Sequence, residues 1–123
     1  MTIGPSLEPT RTPEALVERI VEIASNRKAI DILVIDLRGM VGYTDYFVIC
    51  SGNTERQTKG IHDALHRDLR EDGLRPRRVE GDREGTWILM DYLDAVVHIF
   101  TPEARGFYRL DQLWGEAPVR SVG

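Results

Sequence analysis

Residues Tyr46 to Ser51 read YFVICS, a run apolar on both faces of a strand, and such a strand is stable only when both faces are covered. A second short β-branched run, ILVIDL from Ile32 to Leu37, makes the same demand, and RGMVGYT between them supplies glycines for a loop. Helix signals surround the pair. Thr12 followed by Pro13 reads as an N-cap and first-turn proline, after which Leu16, Ile20 and Ile23 recur at helical spacing as far as about Asn26. Thr54 and Gln57 have capping-box spacing, Ile61, Leu65 and Leu69 stack on one face, and Gly73 can end that helix in the left-handed conformation. Thr101-Pro102 repeats the cap-plus-proline signal for a last helix carrying Phe107, Tyr108, Leu110 and Leu113 toward Trp114.

RPRRVEG is a short, polar edge strand, and GTWILMDY and AVVHIF are stronger strands separated by Leu93-Asp94, the length of a tight hairpin loop. The order α-β-β-α-β-β-β-α predicts an α+β (mixed α/β) fold: a mixed sheet of about five strands packed with helices. Its β-helix-β stretch needs a right-handed crossover, while its last strand pair needs a hairpin. Residues from Gly115 to Gly123 read as a frayed tail.

A chain of 123 residues fits one domain, and its 41% hydrophobic and 29% charged content is that of a globular protein. No apolar run approaches the roughly 20 residues that span a bilayer, so no membrane is expected. The opening MTIGPSLEPTRTP lacks the apolar stretch of a secretory signal, and the lone Cys50 has no intramolecular partner; a reducing cytoplasm fits best. A net charge of -4 has the wrong sign for a chain whose main affinity is for a phosphate backbone, which argues against a sequence-specific nucleic-acid partner. From Glu80 to Asp94, Glu80, Asp82, Glu84, Asp91 and Asp94 stand against Arg83, a local -4 beside Trp87 and Tyr92. That predicts an acidic, aromatic face suited to a basic protein. The arginines of RPRRVEGDR, interleaved with acids, read as a mixed solvated surface.

Two stretches invite an enzymatic reading. HDALH, His62 to His66, places two histidines one turn apart as a zinc helix does, but Asp63 stands where the motif needs Glu and no third ligand has recognisable spacing. No metal and no cofactor is therefore expected. Ser51-Gly52-Asn53 joins a strand to a helix N-terminus, which can bind an anion. Nucleotidyl transfer needs in addition two carboxylates on one neighbouring strand face to hold metal ions, and Asp91 and Asp94 are three apart across a turn. The alternatives to a binding protein are a nucleotidyltransferase-type enzyme and a self-associating module whose apolar strands pair in a homodimer. Cys50 reads as a buried, inert thiol and His98, between Val97 and Ile99, as a satisfied sheet histidine.

The strings DILVIDLRGMVGYTDYFVICSGNTERQTKGI and RVEGDREGTWILMDYLDAVVHIFTPEARGFYRLDQLWGEAP, in that order, closely resemble the ribosomal silencing factor family (RsfS, or Iojap). The likeness runs from Pro13 to Pro118, which places the domain at 13–118 between a flexible segment 1–12 and a flexible tail 119–123. It implies a nucleotidyltransferase-like fold without the catalytic carboxylates, hence no enzyme. It further implies binding to the large ribosomal subunit through its fourteenth protein, which blocks subunit joining when nutrients are short. The family's patterned positions fall here on Trp87, Asp91, Tyr92, His98, Asp45 and Tyr46, which makes these the expected partner-binding residues. Each also has a structural reading: core for Trp87, packing for Tyr46, a turn cap for Asp45, the hairpin end for Asp91 and Tyr92.

Overall fold

The computed structural model describes residues 12–109 and 115–122. Its centre is the pair demanded by the apolar runs. Strand β2 (Tyr46–Ser51) and strand β5 (Ala95–Phe100) are buried at every residue and lie side by side in parallel, from Tyr46 opposite Ala95 to Ser51 opposite Phe100. Parallel neighbours cannot be joined by a tight turn, so the chain between them must leave the sheet and return. It does so through helix α2 (Glu55–Glu71), edge strand β3 (Arg78–Glu80) and strand β4 (Trp87–Asp91), which pairs antiparallel with β5. Strand β1 (Ile30–Asp36) flanks β2 on its other side, also antiparallel.

One face of the sheet is covered by helix α1 (Pro13–Asn26) and α2. Leu16, Ile20 and Ile23 from α1 and Ile61, Leu65 and Leu69 from α2 pack onto Val48, Cys50, Ile88, Met90, Val97 and Ile99. Fully burying one such aliphatic side chain stabilises the fold by roughly 2 kcal/mol relative to exposure, so this layer holds most of the apolar driving force. The second face gathers Ile35, Leu37, Phe47, Ile49, Val96 and Phe100 under Ala117, with Ala104 of helix α3 (Pro102–Tyr108) and the half-buried Trp87 and Leu89 at its margin.

The helix ends follow their cap residues. The Thr12 hydroxyl accepts the Ala15 N–H at 3.0 Å, and the Thr54 hydroxyl accepts the Gln57 N–H at 3.1 Å. Gln57 reaches back as a capping box requires, but its Oε1 takes the N–H of Asn53 (2.9 Å), one residue before the cap, while its Nε2 donates to the Lys28 carbonyl (3.0 Å) and ties α2 to the end of α1. Gly73, at φ +91°, lies just past α2 in the left-handed conformation. The apolar stripe expected from Phe107 and Tyr108 through Leu110 and Leu113 to Trp114 lies outside the described residues and side chains.

The sheet has six strands, in the order β3-β4-β5-β2-β1-β6, where about five are expected. The addition is β6 (Val119–Val122), which occupies the stretch read as a flexible tail and pairs antiparallel with β1 from Ile32 opposite Val122 to Ile35 opposite Val119. VRSV gives no apolar run because β6 is an edge strand whose side chains are largely exposed; what holds it is backbone pairing to β1, the Asp36 N–H on the Pro118 carbonyl (2.9 Å) and Arg120 on Glu18 of α1 (2.5 Å). Of the segment 1–12, Thr12 is the cap of α1 and the rest lies outside the described residues. Deleting Val119 to Gly123 bares one side of β1. The deletion is expected to lower stability by about 2 kcal/mol in a urea melt and to speed exchange of β1 amides; an unchanged midpoint would show that β6 contributes nothing.

Candidate docking surface at the hairpin end of the sheet

Strand register fixes which loops meet. Asp36 is opposite Tyr46, Tyr46 opposite Ala95, Asp91 opposite Val96 and Ile35 opposite Val119, so the β1–β2 loop, the β4–β5 turn and the start of β6 share one end of the sheet. The large hydrophobic side chains exposed among the described residues are Met40, Tyr43, Leu93 and Val119, each between 44% and 52% accessible, and all four stand at that end. Scattered exposed apolar residues need no explanation, but a group gathered at one end is a candidate interaction surface.

Beside this group, on the face turned away from α1 and α2, lies a cleft of about 380 Å³ bordered by Tyr43, Phe47, Arg77, Arg78, Leu89, Asp91, Val96 and His98. Its floor is aromatic. Phe47 meets the His98 ring edge to face at 4.6 Å, and farther along the same face, toward the other end of β4, Trp87 stacks on Phe100 at 5.1 Å. Trp87 Nε1 donates to His98 Nδ1 at 3.1 Å. An indole nitrogen can only donate, so Nδ1 is the unprotonated nitrogen and the proton sits on Nε2, which is buried and has no hydrogen-bond partner among the described residues. Burial also pushes the His98 imidazole pKa down to about 3, so the ring is neutral at physiological pH.

Trp87, Asp91 and His98, expected to bind a partner, come together on this face, though in different roles. Trp87 is half-buried, at once packed and accessible. His98 is only 3% accessible and lines the bottom of the cleft. Asp91 shapes the turn: its Oδ1 accepts the Leu93 N–H at 2.9 Å and its Oδ2 accepts from Arg77 Nη2 at 3.2 Å. Tyr92 and Tyr46 depart from the expectation. Adjacent strand residues point to opposite faces, so Tyr92 turns into the helix-covered core, 3% accessible, where burial raises its phenol pKa and its hydroxyl has no partner among the described residues. Tyr46 is buried on the same side, its hydroxyl donating to Glu14 (3.3 Å) and its ring beneath the Arg38 guanidinium (5.5 Å). Asp45 is half-buried and ties loops through its backbone, its N–H on the Asp94 carbonyl (3.2 Å) and its carbonyl accepting from Leu37 (2.8 Å).

The acidic face expected from Glu80 to Asp94 does not form. Asp91 is engaged as above, Glu80 pairs with Arg78 at 3.1 Å, and Asp82 and Glu84 lie in the β3–β4 connection at the opposite end of the sheet. Arg77, Arg78 and Tyr43, which border the cleft, and Leu93 in the adjacent turn are not among the residues expected from the sequence. Leu93 carried a signal: it occupies a two-residue hairpin loop, where Gly, Asn or Asp is favoured.

The enzymatic stretches resolve locally. Four donors around Ser51-Gly52-Asn53 bond inside the fold: Gly52 N–H on the Phe100 carbonyl, Asn53 N–H on Gln57, and Gln57 and Thr58 N–H on Thr54. His62 and His66 have ring centroids 5.9 Å apart, with His62 Nδ1 against Asp63 Oδ1 at 2.9 Å, and among the described residues no group of three or more His, Cys, Asp or Glu is placed to hold a metal. Burial pushes the Cys50 thiol up to about 12, which makes it unreactive. Among the described residues no helix is long and apolar enough to cross a membrane.

Comparison with known proteins places these features in context. The family model described as "Ribosomal silencing factor during starvation" matches residues 9–123. The ribosomal silencing factor RsfS of Bacillus subtilis is 38% identical over 97 residues, covering 79% of this chain and 82% of that protein. A mouse protein named "Mitochondrial assembly of ribosomal large subunit protein 1" is 32% identical over 80% of this chain and 44% of its own length. Among solved structures, a crystal structure from Bacillus halodurans superposes with a TM-score of 0.79 at 31% identity, covering 89% of this chain and 99% of that one.

Two measurements check the site. A histidine whose folded pKa is depressed binds its proton more readily when unfolded, so stability is intact above about pH 6.5 and falls as pH drops toward 3. Between pH 7 and pH 5 the wild type is expected to lose on the order of 2 kcal/mol more than His98→Gln; equal losses would contradict a buried neutral ring. Tyr92→Phe removes a buried hydroxyl without a partner, so its melting temperature is expected to hold or rise, with partner binding unchanged.

Proposed function

Because this chain belongs to the ribosomal silencing factor family, we propose that it binds the large ribosomal subunit through that subunit's fourteenth protein and keeps the small subunit from joining. Translation in the cytoplasm is thereby repressed when nutrients are limiting. The observation that carries this reading is the gathering of Met40, Tyr43, Leu93 and Val119 at the hairpin end of the sheet, where Tyr43 also borders the cleft over His98, which supplies the apolar anchors a protein interface uses. The name of the mouse relative, which contains the large subunit, points the same way. The mechanism is occupation: a 14.0 kDa domain seated on the joining face excludes its partner without chemistry.

With Asp91 held by Arg77 and Asp82 and Glu84 at the far end, attraction to a basic ribosomal protein is assigned to the overall charge of -4, while apolar contact at the hairpin end supplies specificity. Asp91 and Asp94 also support a binding role over a catalytic one, since Asp91 faces the cleft and is consumed by the turn, and Asp94 sits in the turn itself. A weak homodimer through the hairpin remains part of the proposal.

Incubating the protein with purified subunits and separating them on a density gradient is the direct test. The protein is expected to travel with the large subunit and to lower the fraction of joined ribosomes. Absence from the large-subunit peak, or binding that leaves joining unchanged, would refute the reading.

A further inference from the structure

Leu93 combines two unfavourable features. It is the middle residue of a three-residue turn closed by the Asp94 N–H on the Tyr92 carbonyl (2.9 Å), and its φ is +74°. Of the two hands of such a turn this is the rare, strained one, and a bulky side chain is uncommon there. Glycine or asparagine would sit in that conformation with less strain. The leucine is also 50% accessible, so it recovers little from burial.

The surroundings leave the turn no alternative. Asp91 Oδ1 accepts the Leu93 N–H (2.9 Å), Arg77 holds the other carboxylate oxygen (3.2 Å), and the Tyr92 N–H donates to the Ala95 carbonyl (2.9 Å). The Asp94 carbonyl then accepts from the N–H groups of both Asp45 and Tyr46, each at 3.2 Å, which locks the turn to the loop carrying Met40 and Tyr43. A strained conformation that its surroundings over-determine, bearing an exposed apolar side chain at the end where the other exposed apolar side chains gather, is a preformed contact.

We propose that Leu93 is an apolar anchor that inserts into an apolar pocket of the ribosomal protein contacted by this surface, with Asp91 as the residue that positions it. This rests on the ribosome-binding reading above and assigns the docking contact within it. The strain is accepted in the free protein so that the leucine enters its pocket without first being ordered. Asp91 acts through Leu93, and its 8% accessibility leaves it little contact of its own to make.

The test uses Leu93→Gly, Leu93→Asn and Leu93→Met, each measured for melting temperature and for affinity to purified large subunits on the same sample. Gly and Asn are expected to melt no lower than wild type and to bind at least about tenfold more weakly, while Met restores affinity to within about threefold. Asp91→Ala is expected to weaken binding in the wild-type background and to add nothing in the Leu93→Gly background, a coupling that a purely structural role would not show. If wild type binds and Leu93→Gly binds equally well, the anchor is refuted while the ribosomal reading stands. If wild type does not bind large subunits, both fall. If Leu93→Gly abolishes self-association in sedimentation but leaves ribosome binding intact, the pocket belongs to a second copy and the proposal is overturned.

Discussion

The parallel pairing of β2 with β5 is the constraint to which the rest of the architecture answers. Two adjacent strands with no exposed residue require cover on both faces, and a parallel pair requires a crossover long enough to reach back to the same end. Helix α2, β3 and β4 are that crossover, and α1 joins α2 to complete one cover. On the second face the described cover is thinner: Ala104, Ala117 and the half-buried Trp87 and Leu89 surround the aromatic floor. The cleft toward the hairpin end opens over Val96 and His98.

Much of this was legible because its causes are local. The cap residues Thr12, Thr54 and Thr101 mark helix starts by supplying a hydroxyl for an N–H with no partner inside the helix, and that signal depends on nothing distant. The apolar runs marked the central strands for a similar reason. Strand β6 was not legible because its stabilising bonds are backbone bonds to β1, and backbone pairing leaves little trace in VRSV. The acidic face failed for a related reason: Glu80 to Asp94 is compact in sequence, but a three-residue strand and its turn distribute it between opposite ends of the sheet.

Within the site, alternation along β4 decided what family resemblance alone could not. Trp87, Leu89 and Asp91 share one face, so Ile88, Met90 and Tyr92 must share the other. A patterned position can thus be patterned for opposite reasons two atoms of backbone apart: Asp91 to shape a turn beside the cleft, Tyr92 to fill the core beneath the helices. His98 belongs to neither class. It sits in a fully buried strand and is kept neutral there, while a tryptophan that can only donate selects its tautomer, so the floor of the cleft is uncharged although arginines border it.

The two ends of the sheet are built differently, and the small-residue turn resembling a phosphate loop lies at the end away from the hairpin. At that end the backbones are in direct contact: a Cβ on Gly52 would lie 2.9 Å from the Thr58 nitrogen, and the Thr58 hydroxyl bonds the carbonyls of Glu55 (2.8 Å) and Gly85 (2.5 Å), clamping the start of α2 to the β3–β4 connection. Glycine is needed there for close approach of chain to chain, and the N–H groups of Gly52, Asn53, Gln57 and Thr58 are bonded within the fold. The hairpin end is built the other way. Its turns are fixed by side-chain and carbonyl bonds while Leu93, Tyr43 and Met40 stay exposed, so one end is held by close backbone packing and the other carries exposed apolar side chains, the surface proposed for docking.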